Sequence, residues 1–168
     1  MRTIQMKLNQ KLMNMNRISK HISYVEATRS QTATRRRIDN TPSFEQLSRM
    51  KTLAKKVFEP VREYVGKPIR VSSFFRSVKL NKRIGGSASS QHCKGEAMDI
   101  QGMMGVTNAE IFHYIKDNLV FDQLIWEFGN SKEPAWVHVS YTTRRNNRKQ
   151  VIVAYKNKFG RTKYKVWK

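Results

Sequence analysis

The stretch Ser89–Gln101, "SSQHCKGEAMDIQ", decides how the rest of the chain is read. It opens as a polar turn, bends at Gly95 and ends in "AMDIQ", a short run with strand alternation. Successive side chains of a strand point to opposite faces, so Met98 and Ile100 share one face while Ala97, Asp99 and Gln101 share the other. The same count along "WVHVSY" sets Val137, Val139 and Tyr141 against Trp136, His138 and Ser140. If both apolar faces lie against helices, Asp99 and His138 emerge on the same open side of one sheet. His92 precedes Asp99 by seven residues, with Gly95 between them to turn the chain back over the sheet.

These residues admit two readings. Two histidines and an aspartate in a loop and two strands are commonly surface or hydrogen-bonded side chains. Alternatively, His92, Asp99 and His138 form a three-ligand set suited to zinc, with a fourth position left for water, as in open catalytic sites. Cys93 adjoins His92 and reads as a bystander, since neighbouring residues seldom ligate one ion. Trp136 is a packing residue or, sharing a face with His138, a wall of the cleft.

Outward from this stretch, the chain reads as α+β. "NTPSFEQL" is a helix start, with Thr41 as N-cap, Pro42 at the first helical position and Glu45 in the first turn. Leu47, Met50, Leu53, Val57, Val61 and Tyr64 recur at helical spacing, with a kink expected at Pro60 and an end at Gly66. "PIRVSSFFRS" is a strand leading into a polar loop that contains Gly85 and Gly86. "TNAEIFHYIKDNL" is a helix opened by Thr107 and Glu110. "DQLIWE", "WVHVSY" and "KQVIVAYK" are further strands. The order predicts a largely antiparallel sheet of four to five strands, with helices on one face and, if the three-ligand reading holds, an open zinc cleft on the other. A basic arm and lead-in over 1–40, a core over 41–143 and a basic strand and tail over 144–168, attached to the core, complete the division.

The chain of 168 residues carries 33 lysines and arginines against 12 acids, a formal charge of +21. From Arg144 onward there are ten basic residues and no acid. Such a charge favours anionic partners: nucleic acid at the basic ends, or acidic envelope polymers. A single cysteine excludes a disulfide scaffold within the chain. No signal-peptide pattern or membrane-spanning run is present, so a protein made as a soluble chain, monomeric and without a membrane span, is expected.

The motif of Ser90, His92, Gly95, Ala97 and Asp99 resembles the Ser-x-His-x-x-Gly-x-Ala-x-Asp signature of the zinc D-alanyl-D-alanine carboxypeptidases. That family includes phage endolysins cutting L-alanyl-D-glutamate bonds and shares its fold with the hedgehog signalling domain. "WVHVSY" resembles its second metal segment, and "RVSSFFRSVKLNKRIGGS" its upstream approach. The likeness runs from about His21 to Tyr141.

The resemblance implies one zinc per chain on His92, Asp99 and His138, with Ser90 supporting the site by hydrogen bonding and lining it beside Trp136. It implies that Arg76 faces the substrate's carbonyl or carboxylate. Family members often carry an acid three residues before the last histidine, but that position here is Ala135. Glu127, ending the strand before, fits the hedgehog-like layout as general base; Glu133, in the loop beside Pro134, reads as solvated. The implied activity is hydrolysis of peptidoglycan stem peptides, as a D,D-carboxypeptidase or an L,D- or D,D-endopeptidase. The setting is the cytoplasm, or the cell wall after release at phage lysis. The alternatives are a hedgehog-like binding protein without hydrolysis and a nucleic-acid-binding module on the same fold.

Overall fold

The computed structural model describes residues 16–167. Residues 1–15 of the expected arm and lead-in therefore lie outside the described residues. Two short helices come first, α1 (Tyr24–Thr28) and α2 (Gln31–Arg36), capped by the Ser23 and Ser30 hydroxyls.

Helix α3 (Phe44–Leu53) begins two residues later than the sequence predicts. Ser43, not Thr41, is its N-cap. Ser43 and Gln46 exchange both bonds of a capping box, whereas the Thr41 N–H is taken by Asp39. Before Pro60, where a kink is expected, the regular α turn is interrupted. The helix widens into a π turn over Ala54–Phe58 and continues as α4 (Glu59–Val65), ending at Gly66 with φ 62°. Proline lacks an N–H and its ring crowds the carbonyl four residues back, and the wider turn before Pro60 absorbs that conflict. The periodic residues Met50, Leu53, Val57 and Val61 are buried. Tyr64 is exposed and stacks on Tyr114, ring centroids 4.0 Å apart.

Strand β1 (Ile69–Ser73) leads not into a plain loop but into helix α5 (Val78–Arg83), whose N-cap Ser77 accepts from the Leu80 N–H. A 3-10 turn (Gln91–Lys94), β2 (Ala97–Gly102), α6 (Asn108–Asn118), β3 (Gln123–Glu127), β4 (Trp136–Ser140), β5 (Gln150–Lys156) and β6 (Thr162–Val166) follow. Thr107 caps α6 through the Glu110 N–H, as predicted.

The sheet has six strands in the order β1-β2-β4-β3-β5-β6. The sheet is largely antiparallel, as expected, but has one strand more than the four to five expected and one parallel pair. The basic C-terminal segment supplies two strands, β5 and β6, and β5 runs parallel to β3 while the other pairs are antiparallel. Because β4 ends at the edge where β3 and β5 begin, loop 141–149 steps past β3 without a crossover helix. Met98, Ile100, Val137 and Val139 are buried in one cluster with Met50, Leu53, Ile111, Phe112 and Ile115 from the helices. Each such side chain contributes about 1.5–3 kcal/mol by leaving water. Among the described residues no helix is long and apolar enough to cross a membrane.

Candidate metal centre

Strands β2 and β4 pair antiparallel with Asp99 opposite His138. Residues directly opposite in such a pair project to the same face, so the alternation read from the sequence brings carboxylate and imidazole together. His138 Nδ1 lies 2.8 Å from Asp99 Oδ1. His92 arrives from the 3-10 turn, and its Nε2 is 3.3 Å from both Asp99 Oδ1 and His138 Nδ1. Gly95 makes this approach possible. It sits at φ 71°, and a Cβ there would lie 2.5 Å from the Gln46 carbonyl oxygen on α3. Only glycine fits that corner.

The tautomer of His92 follows from its neighbours. A carbonyl only accepts, so Nδ1 must carry the proton it donates to the Phe74 carbonyl at 2.7 Å. The Nε2 lone pair is then free and aimed at Asp99 and His138. Burial pulls the pKa of His92 below the ordinary histidine value, which keeps the ring neutral. Burial alone would raise Asp99, but its polar neighbours, with His138 Nδ1 at 2.8 Å, win and hold its carboxyl well below the usual range. Arg76 adds a third partner, donating to Asp99 Oδ2 at 3.0 Å.

The donor set fits a tetrahedral ion. Zinc–nitrogen and zinc–oxygen bonds of about 2.0–2.2 Å place neighbouring ligand atoms about 3.3–3.6 Å apart. Two of the three separations here are 3.3 Å and the third is 2.8 Å. A neutral, pre-oriented imidazole, a second imidazole and an ionised carboxylate thus converge at nearly the spacing zinc needs, and among the described residues they form a group able to hold one metal ion.

A cleft of about 880 Å³ opens over this group and is lined also by Arg76, Glu127, Trp136 and Tyr164. A larger cavity of about 1030 Å³, beside Trp126, Val153 and Trp167, holds none of the three. Glu127 ends β3 opposite Trp136 on β4 and Ala154 on β5, and Ala154 in turn faces Tyr164 on β6. Burial pushes the Glu127 carboxyl up to about 7, against the pull of His138. Glu133 has a different occupation. Rather than being solvated, it accepts from the Asn108 and Ala109 N–H groups at 2.7 and 3.2 Å and so closes the N-terminus of α6.

Ser90 lines the cleft, but among the described residues its hydroxyl makes no hydrogen bond to the ligand set; it precedes the turn that carries His92 and leaves the Phe74 carbonyl to orient that ring. Cys93 lends its carbonyl to the Gln46 side chain, and burial raises its thiol pKa, as suits a bystander. Trp136 meets Phe128 edge to face. The sequence reading missed the arginines of loop 141–149 and Ile152, Thr162 and Tyr164 of the last hairpin, all of which line the cleft. The density of arginine in "TRRNNRK" was their one visible signal.

Comparison with known families gives a match to the family described as Peptidase M15 over residues 20–140. No curated protein matches the chain.

Proposed function

The chain belongs to the Peptidase M15 family of zinc metallopeptidases, and from that premise we propose that it hydrolyses a peptide bond in the stem peptides of peptidoglycan. The convergence of His92 Nε2, Asp99 Oδ1 and His138 Nδ1 in a cleft shared with Glu127 carries this reading. Those three atoms would hold the ion. Bound there, zinc would supply Lewis acidity and lower the pKa of an attacking water to about 7.

Glu127 is the general base. It ends β3 in the same cleft as the three donor atoms, where burial in the metal-free site raises its carboxyl to about 7, and from there it would take the water's proton and return it to the leaving nitrogen. Arg76 holds Asp99 with one amino group, while its other is only loosely engaged, 3.5 Å from Asn81. That second group is left to bind a carbonyl or carboxylate oxygen of the substrate. Ser90 and Trp136 border the bound peptide, which lies on the sheet face of Asp99 and His138, away from the helices packed on Met98 and Val139. The basic ends hold the enzyme to anionic envelope polymers.

Incubation with purified peptidoglycan, with and without a chelator, tests the proposal. Released D-alanine or new amino groups, abolished by the chelator, are expected, and the products identify the bond. Intact stem peptides after incubation with zinc-loaded protein would overturn it.

A further inference from the structure

Loop 141–149 carries Arg144, Arg145 and Arg148, all lining the cleft of the metal group. Each is anchored from below by a carboxylate that is fully buried. Arg144 donates through Nε and one amino group to Glu96 at 2.7 and 2.8 Å. Arg145 and Arg148 both grip Asp122, with contacts from 2.5 to 3.1 Å. Glu96 and Asp122 are each 0% exposed, whereas the three arginine side chains stay 41%, 44% and 46% exposed. Three cations over two anions leave net positive charge. Each guanidinium has five N–H donors and spends only part of them on its anchor. The remaining donors are held in place, so little side-chain freedom is lost when they meet a ligand.

The strand register places this cluster relative to the chemistry. Along β3 and β4 the sheet runs from Glu127 and Trp136 at one end, past Ile125 and His138, to Gln123 and Ser140 at the other. Asp122 precedes Gln123, and loop 141–149 follows Ser140. The arginines therefore stand at the end of the cleft opposite Glu127, about 7 Å or more along the strands from His138, at roughly 3.4 Å per residue. Gln91, next to His92, donates to Asp122 at 3.1 Å and ties the two groups together.

We propose that Arg144, Arg145 and Arg148 form an anion subsite that binds a carboxylate carried by the peptide substrate, at the end of the cleft away from Glu127. The subsite rests on the peptidase reading for its ligand but not for its test, which is read by binding. The arginines lie beyond residue 140, outside the stretch matched to the family.

Arg145→Gln is the informative variant, because Asp122 keeps Arg148, Gln91 and the Arg148 N–H. Lys56→Gln, on the exposed side of the π turn, is the control for loss of one charge. Calorimetry would compare short peptides identical except for Glu or Gln at each of three successive positions, with inorganic phosphate as a competitor. Wild type should bind the Glu peptide about tenfold more tightly at one position. That preference should vanish in Arg145→Gln and survive in Lys56→Gln. Phosphate that weakens the Glu peptide and not the Gln peptide supports the same site. Equal binding of both peptides by wild type, including none, overturns the subsite, as does a preference that Arg145→Gln retains. A Glu preference without any hydrolysis would overturn the peptidase reading and leave the subsite standing.

Discussion

Asp99 and His138 stand opposite one another on β2 and β4, with His138 Nδ1 2.8 Å from Asp99 Oδ1. Neither depends on a flexible loop for its position. Asp99 is further fixed by Arg76 on its second oxygen, and His92 by the Phe74 carbonyl on its outer nitrogen. Partners of this kind orient metal ligands and tune their basicity. Here they hold the carboxylate and the imidazole of His92 in the orientation in which the three donor atoms converge.

The two candidate acids should separate cleanly. Glu127→Gln should keep the metal and lose most turnover, about 100-fold or more, as expected on removal of a general base. Glu133→Gln should keep turnover but lose about 1–2 kcal/mol of stability through its weakened hold on the α6 N-terminus. Thermal melts and hydrolysis rates on the two variants check both statements; the reverse pattern would move the base to Glu133.

A pH effect follows from Glu127 in the metal-free protein. Its folded-state pKa, about 7, lies above the ordinary value of 4.5. Between these values the folded chain binds the proton more tightly than the unfolded one, so stability falls as pH rises through that window. Melting of chelated wild type against chelated Glu127→Gln from pH 4.5 to 7 should show the wild type losing ground as pH rises. Parallel curves would contradict the placement of this carboxyl in a desolvated cleft.

Asp122 sits beneath two arginines, and although burial alone would raise its pKa, their hydrogen bonds and charge hold its carboxyl well below the usual range. Its contribution is present above the ordinary carboxylate pKa and fades only as pH falls through its depressed value. Asp122→Asn should destabilise by about 2–4 kcal/mol near neutral pH, discounted for the partial exposure of Arg145 and Arg148. Urea unfolding measures this directly, and an unchanged midpoint would show that loop 141–149 is held by other contacts.

The site was more legible in the sequence than the sheet around it. Period-two alternation in "AMDIQ" and "WVHVSY" assigns faces without knowledge of topology, so Asp99 and His138 could be put on one open side of the sheet, while their choice as ligands rested on the family resemblance and their direct pairing on the strand register. The neighbours of β5 could not be read in this way. Parallel pairing of β3 with β5 depends on where loop 141–149 crosses, and no local pattern records that. Helix α5 was hidden because its six residues show less than two helical turns of periodicity. The N-cap moved from Thr41 to Ser43 because both are good caps, and only the reciprocal Gln46 side chain separates them. The cleft arginines read only as part of a basic strand and tail attached to the core, since their anchors, Glu96 and Asp122, lie far away in the chain.

The central claim is that His92, Asp99 and His138 together hold zinc. Its most direct test is the zinc content, by elemental analysis after dialysis, of wild type and of His138→Ala, with circular dichroism to show that both are folded. One zinc per chain in wild type and almost none in folded His138→Ala is the expected result. Stoichiometric zinc retained by folded His138→Ala, or none taken up by wild type, would contradict it.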